Sequence, residues 1–215
     1  MRAMTVRRFR DRAEAGRQLA EVLQEYAGRD DIVVLGLPRG GVPVAFEVAR
    51  ALGAPLDVFL VRKLGVPGHE ELAMGAVASG GVRVLNEELV RRLGLSAQEL
   101  DEVVAREEAE LERREAAYRD GRPRPDLRGT VAILVDDGLA TGATMRAAVE
   151  ALRREGPAKL VVAVPTGAEE SCDDLRPLVD ELICLAKPHP FYAVGLWYDD
   201  FAPTTDDEVR ELLAR

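Results

Sequence analysis

The stretch Val131-Ala132-Ile133-Leu134-Val135-Asp136-Asp137-Gly138-Leu139-Ala140-Thr141-Gly142-Ala143-Thr144-Met145 decides the fold. Five apolar residues run straight into two adjacent carboxylates, then a Gly- and Thr-rich turn, then a helical pattern. An unbroken apolar run of this length reads as a strand buried on both faces, of the parallel-sheet kind. Open α/β sheets bind their ligands at the carboxyl ends of such strands. The turn offers backbone N–H groups, two hydroxyls and a helix N-terminus, a natural cradle for one phosphate. Two carboxylates at the end of an apolar strand are costly unless they bind something. They repel phosphate but suit hydroxyl groups, or a Mg²⁺ ion that bridges them to anions. Phosphate, diol and metal together describe a phosphorylated sugar.

Working outward, the same alternation recurs. Residues 10 to 27 read as an amphipathic helix, with Ala15, Leu19, Val22, Leu23 and Tyr26 on one face. Asp31 to Gly36 is a short buried strand ending in Leu37-Pro38-Arg39-Gly40-Gly41. Val42 to Leu52 reads as a helix stopped by Gly53-Ala54-Pro55. Asp57 to Val61 reads as a second strand that delivers Arg62-Lys63. Leu160 to Val164 is a strand ending at Pro165-Thr166-Gly167, and Glu181 to Leu185 is another. Strands alternating with helices predict a three-layer αβα domain with a mostly parallel central sheet. The carboxyl ends of its strands fall on one edge, which places Arg39 and the Gly40-Gly41 turn, Arg62-Lys63, the acidic pair and Pro165-Thr166-Gly167 together.

Two regions break the alternation. Residues 64 to 86 are Gly-rich, with apolar runs at Leu72 to Ala78 and Val82 to Leu85 around a hairpin-like Ser79-Gly80-Gly81. Residues 87 to about 124 read as a helical insertion. Ser96 and Glu99 form a capping-box pattern, and Gly121 and Pro123 stop the helix. Its apolar stripe of Leu100, Val103, Val104 and Leu111 is thin, and Glu102–Arg106 and Glu110–Arg114 have the favourable i,i+4 order. A solvated arm fits this pattern, and so does a lid or dimer contact.

The chain has 215 residues, 47% of them apolar, enough to core one large domain. A net charge of −9 argues against general nucleic-acid binding, which needs a basic face. No apolar run approaches the length of a membrane span. The basic start, Met1 to Arg8, lacks an apolar signal core, so a cytoplasmic protein is expected. Cys172 and Cys184 are too few and too separated for a metal cluster or disulfide framework and read as small buried residues. Lysines occur only at Lys63, Lys159 and Lys187.

The segment Val135 to Met145 resembles the phosphoribosyl-pyrophosphate (PRPP) binding motif of type I phosphoribosyltransferases, in the form closest to the adenine enzymes. Pro38-Arg39-Gly40-Gly41 resembles that family's pyrophosphate loop, and Arg62-Lys63 the basic pair opening its flexible catalytic loop, here residues 64 to 86. Phe191 to Asp199 resembles the base-binding segment of the hypoxanthine-guanine enzymes. The resemblance implies a phosphoribosyltransferase-like fold with a small C-terminal hood. It implies that Asp136 and Asp137 accept the ribose hydroxyls and that Ala140, Thr141, Gly142, Ala143 and Thr144 hold the 5-phosphate. Arg39, Gly40, Gly41, Arg62 and Lys63 would take the pyrophosphate with Mg²⁺. Tyr192 would stack on the base, with Val194 and Trp197 beside it, and Asp137 and Asp199 would serve the metal. The motif has Ala140 where hypoxanthine-guanine enzymes carry a basic carboxylate, so proton transfer falls to His69, Glu70 or Glu71.

The implied reaction displaces pyrophosphate from the anomeric carbon of PRPP by a nitrogen of a nucleobase-like acceptor. The alternative is a PRPP- or nucleotide-sensing regulator on the same fold. A P-loop kinase or NTPase is disfavoured, since G-x-x-x-x-G-K-[ST] is absent and the turn after Asp137 has no Lys. A homodimer is expected from the family, with no nucleic-acid or membrane partner.

Overall fold

The computed structural model describes residues 8–215, so the first seven residues of the basic start lie outside the described part. Five parallel strands form the central sheet in the order β2-β1-β6-β7-β8. They are β1 (Ile32–Gly36), β2 (Leu56–Val58), β6 (Val131–Val135), β7 (Lys159–Thr166) and β8 (Glu181–Ala186). Every residue of β1 and β6 is buried, as their unbroken apolar runs require. The two lie side by side in register from Ile32↔Val131 to Gly36↔Val135.

The strands bury alternate residues on opposite faces. Ile32, Val34, Ile133 and Val161 pack against Leu19 and Leu23 at the end of α1 (Arg12–Val22) and Val44 and Val48 of α2 (Gly41–Leu52). Val33, Leu35, Leu134 and Val162 pack against Met145, Val149 and Leu152 of α5 (Ala143–Arg154) and Cys172 and Leu175 of α6 (Glu169–Leu175). The predicted three-layer αβα architecture is therefore present. Among the described residues, no helix is long and apolar enough to cross a membrane.

The α1–α2 crossing is close. A Cβ on Gly16 would lie 2.6 Å from the Val44 carbonyl oxygen and 2.8 Å from Glu47 Cβ. Gly16→Ala therefore forces the helices apart, and a destabilisation of about 1–3 kcal/mol is expected from overpacking. Urea unfolding checks this; an unchanged midpoint would mean that the helices separate freely.

Residues 61–85 form a second sheet, antiparallel, in the order β3-β4-β5. These are β3 (Val61–Val66), β4 (His69–Ala78) and β5 (Val82–Leu85). The reading of Asp57 to Val61 as one strand is corrected here. β2 ends at Val58, and Leu60 gives its N–H to Ser79 Oγ and its carbonyl to Ser79 N–H, both at 2.9 Å. The chain changes partners inside a continuous apolar run, which hydrophobicity alone does not reveal. Arg62-Lys63 thus lies within the second sheet instead of at the end of a parallel strand. The expected hairpin turn at Ser79-Gly80-Gly81 is present, with both glycines at positive φ.

The insertion folds as α3 (Glu87–Leu93) and α4 (Ala97–Arg119), and α4 opens on the expected capping box, Ser96 with Glu99. Helix α4 is not a solvated arm. Val103, Val104, Leu111 and Tyr118 are buried with Leu64, Val66, Met74 and Val77 of the antiparallel sheet and with Val209 and Leu213 of α7 (Asp206–Leu213). Of the two ion pairs read on α4, Arg114–Glu110 forms at 2.7 Å, while Arg106 turns to Glu107 at 3.1 Å. The C-terminal segment places a 3-10 turn, Val194–Trp197, near the sheet edge, with Tyr198 and Phe201 packed around Phe9 and Ala15.

Candidate functional site

The carboxyl ends of β1 and β6 bring two turns face to face. A Cβ on Gly40 would stand 2.0 Å from Asp137 Oδ2, and one on Gly41 would stand 2.7 Å from the Val135 carbonyl oxygen and 2.8 Å from Asp136 Cα. The two glycines are thus required by contact between the Pro38–Gly41 turn and the acidic pair. The Pro38–Arg39 peptide bond is cis.

Asp136 and Asp137 sit largely out of solvent. The Asp136 carboxylate accepts the Asp137 N–H at 2.9 Å. Burial, and then the neighbouring Asp137 charge, push the Asp136 carboxyl well above the usual range. Burial also raises Asp137, while the Arg12 guanidinium pulls it back. Arg12 Nε donates to Asp137 Oδ2 at 2.9 Å, with the two side chains only 11% and 15% exposed. Arg12 is not among the residues that the sequence singles out. It lies 125 positions from its partner, and nothing in the N-terminal helix pattern marks it.

Beyond the acidic pair, Gly142 takes a positive φ of 73° and starts α5 with no side-chain cap. The first N–H groups of a helix have no partner within it, so those at the start of α5 can receive an anion. Ala140, Thr141, Ala143 and Thr144 are exposed around it. Ser171 Oγ donates to the Ala140 carbonyl at 2.5 Å and supports the turn from behind. Gly138 is pressed against the 3-10 turn, since a Cβ there would lie 2.4 Å from Val194 Cγ1.

Two clefts flank the phosphate-type turn. One, of about 120 Å³, is lined by Pro38, Arg39, Leu60, Arg62, Tyr118 and Thr144 among others. The other, of about 370 Å³, is lined by Lys63, Gly75, Asn86, Ala143, Arg146 and others. Arg62 and Lys63 are neighbours in a strand, so their side chains leave opposite faces. Arg39, Arg62 and Thr144 therefore share one cleft, and Lys63 opens on the other with Ala143. Arg62 is held by Glu107 of α4, at 2.7 Å from Nε and 2.6 Å from Nη2. Arg39 is half exposed and stands 4.0 Å from Asp206. The Tyr118 hydroxyl donates to the same Asp206 at 2.6 Å, and burial pushes its pKa up to about 12.

The remaining candidates are more dispersed. His69 and Glu70 open β4 in exposed positions; the side chain of Glu71 lies outside the described residues. Tyr192 is 78% exposed. Trp197 is partly buried, with its Nε1 lacking a partner, and its carbonyl accepts the Phe9 N–H at 2.9 Å. Asp199 is exposed, and its N–H donates to the Phe9 carbonyl at 2.8 Å. Of the two carboxylates expected to serve the metal, Asp137 has one oxygen engaged by Arg12 and Asp199 is exposed. Among the described residues, no group of three or more His, Cys, Asp or Glu side chains could hold a metal ion. Tyr198, another residue missed from the sequence, donates its hydroxyl to the Asp137 carbonyl at 2.6 Å. Cys172 is buried and Cys184 half-buried, in a disulfide-free state and close enough for one thiol to bond the other. Both flank Gly167, beneath Leu139.

Known proteins resemble this chain over most of its length. A Mycobacterium tuberculosis protein with a provisional phosphoribosyl transferase name is 52% identical over 207 residues, covering 96% of this chain and 46% of the relative. The chain thus spans about half the length of that curated relative. The crystal structure of TT1426 from Thermus thermophilus is 47% identical, covers 96% of this chain and 97% of its own, and superposes with a TM-score of 0.85. A Clostridium acetobutylicum protein named Bifunctional protein PyrR is 30% identical over 141 residues, 66% of this chain and 60% of its own. The sequence pattern of the phosphoribosyl transferase domain matches residues 8–185, which include both facing turns, the second sheet and α4. The chain belongs to the phosphoribosyl transferase domain family.

Proposed function

We propose that this protein transfers the 5-phosphoribosyl group of PRPP to a nucleobase-like acceptor and releases pyrophosphate. The observation that carries the reading is the turn from Asp136 to Thr144, which sets two largely desolvated carboxylates beside the uncapped N-terminus of α5. A ribose diol and its own 5-phosphate have that spacing of opposite needs. In this reading Asp136 and Asp137 accept the ribose hydroxyls. The backbone and hydroxyls of Thr141 to Thr144 hold the 5-phosphate. Arg39 and the Gly40 backbone face the pyrophosphate, with Arg62 on the wall of the same cleft. Val194 packs on Gly138 beside the acidic pair, and in this reading it meets the acceptor ring together with Tyr192 and Trp197 of the same segment.

Mg²⁺ would enter with the pyrophosphate, as the counter-ion of the substrate, with Asp137 and Asp199 as the carboxylates that would serve it. With Ala140 inert, proton transfer from the acceptor falls to the hairpin, where His69, Glu70 and Glu71 lie. The protein's part is then to position the reactants and to stabilise the charge that develops on the leaving group.

A pyrophosphate-release assay over purines, pyrimidines and related rings tests the reading. Turnover on at least one ring is expected. Lys63 opens on the second cleft and reaches the leaving group only if the β3–β4 hairpin turns it there during the reaction; in that case Lys63→Ala should lower turnover by about a hundredfold and leave PRPP affinity nearly unchanged, the mark of an interaction made only in the transition state. Unaltered turnover would return Lys63 to the solvated surface charges. One observation favours the second reading, a PRPP-sensing protein without turnover: Arg62 is neutralised by Glu107 and Lys63 opens on the other cleft. PRPP binding with no turnover on any ring would select it.

A further inference from the structure

Asp11 caps α1 by accepting the Glu14 N–H at 2.7 Å, and this sends Arg12, the next residue, across the edge of the sheet. Arg12 is fixed on three sides. Its Nε donates to Asp137 Oδ2, its Nη1 donates to the Ala202 carbonyl at 2.8 Å, and its guanidinium lies 3.9 Å from the centre of the Phe201 ring. A planar guanidinium with both an edge and a face engaged has one orientation. Phe201 stacks 5.0 Å from Tyr198 and presses on Gly195, where a Cβ would come 2.8 Å from its Cδ1. Tyr198 returns to the start by donating its hydroxyl to the Asp137 carbonyl. The contacts close a ring that runs from the Asp137 carboxylate through Arg12, Phe201 and Tyr198 to the Asp137 backbone.

We propose that Arg12 is a positioning residue that fixes the Asp137 carboxylate for the ribose and couples its occupancy to residues 194–202. The inference rests on the reading of the Asp136–Thr144 turn as the PRPP site. Holding Oδ2 sets the plane of the carboxylate before a ligand arrives, which lowers the ordering cost of binding. The guanidinium shares its other contacts with Ala202 and Phe201, so any shift of Asp137 on binding moves the segment that bears Val194 and Trp197. Coupling of this kind travels through packed, hydrogen-bonded groups with few alternative arrangements. The link joins the acidic pair to the C-terminal segment through Arg12, Phe201 and Tyr198. Its use is to make the acceptor side respond to PRPP.

Calorimetry with Mg²⁺ and PRPP, together with amide hydrogen exchange, tests the proposal on the intact chain, Arg12→Gln and Arg12→Lys. In the unaltered protein PRPP should slow exchange in both 138–146 and 194–202. Arg12→Gln should raise the PRPP Kd by roughly tenfold or more, the scale of a lost charge-assisted hydrogen bond. At saturating PRPP it should keep the slowing in 138–146 and lose it in 194–202. Arg12→Lys keeps a cation for Asp137 but cannot reach the carbonyl and cover the ring as well. It should hold the Kd within about threefold and still lose the response in 194–202. A merely structural role for Arg12 would lower the melting temperature without separating these two regions. An unchanged response of 194–202 in both variants would overturn the proposal alone. Absence of PRPP binding by the unaltered chain would overturn the site reading, and the proposal with it.

Discussion

Asp137→Asn is expected to weaken PRPP binding by roughly tenfold to a hundredfold, the range for a lost hydrogen bond to a charged group. The loss has two parts. Asparagine offers a weaker acceptor to a ribose hydroxyl than a carboxylate does. It also removes the charge that Arg12 holds at 2.9 Å, so the clamp on the side chain weakens from a charged pair to one neutral-acceptor hydrogen bond. The fold should survive the change, because Arg12 keeps the Ala202 carbonyl and the Phe201 ring, and the amide oxygen of Asn can still accept from Nε. Calorimetry gives the affinity and a thermal melt reports the fold. Unchanged affinity in a folded variant would remove Asp137 from the site.

The second large effect lies away from the ligand. Arg119→Leu is expected to cost about 3–5 kcal/mol, the usual cost of breaking a buried ion pair from one side. Arg119 is 7% exposed at the end of α4, and its Nε donates to both oxygens of Asp57, at 3.1 and 3.0 Å. It also stands 3.3 Å from Glu115 and donates to the Val58 carbonyl at 3.3 Å. Burial already raises the Asp57 carboxyl despite this partner, and Glu115 Oε1 is buried with no hydrogen bond. Removing the guanidinium strands two carboxylates at once. Urea unfolding measures the loss. Asp57→Leu with Arg119→Leu should recover part of it, and adding Glu115→Gln should recover more, since apolar replacement of a buried pair is often neutral once no charge is left unpaired. A single variant within about 1 kcal/mol of the parent would show, on the same scale of effects, that α4 is held by its apolar stripe alone. The pair also matters for the site, because α4 carries Tyr118 into the cleft with Arg39 and Arg62 and sets Glu107 against Arg62.

The sequence made the centre of the molecule legible because its signals there are local. β1 and β6 are unbroken apolar runs that end in turns of fixed chemistry, so strand, site edge and phosphate-type turn could all be placed from Ile32–Gly41 and Val131–Thr144. Ser79-Gly80-Gly81 marked its hairpin and Ser96–Glu99 its helix start for the same reason. What stayed hidden depends on partners distant in the chain. Leu60 leaves one sheet for another by bonding Ser79, yet Asp57 to Val61 reads as a single strand. Helix α4 has a thin apolar stripe, yet the antiparallel sheet and α7 cover that stripe within the same chain. Arg62 and Lys63 read as one basic pair, but strand geometry sends them to two clefts. Arg12 and Tyr198 reach Asp137 from the two ends of the chain, and no spacing rule connects positions so far apart. Tyr192 and Asp199 stand exposed on the C-terminal segment, and their roles toward base and metal rest on the family resemblance and not on a contact.

The central claim is that the Asp136–Thr144 turn and the Pro38–Gly41 turn together bind the two ends of PRPP. Titration of the protein with PRPP in the presence of Mg²⁺ tests this most directly. The account predicts saturable binding of one PRPP per chain, competed by ribose 5-phosphate and by pyrophosphate added separately. Binding that neither competitor displaces, or no heat of binding at millimolar PRPP, a concentration well above the usual KM range of enzymes, would contradict it.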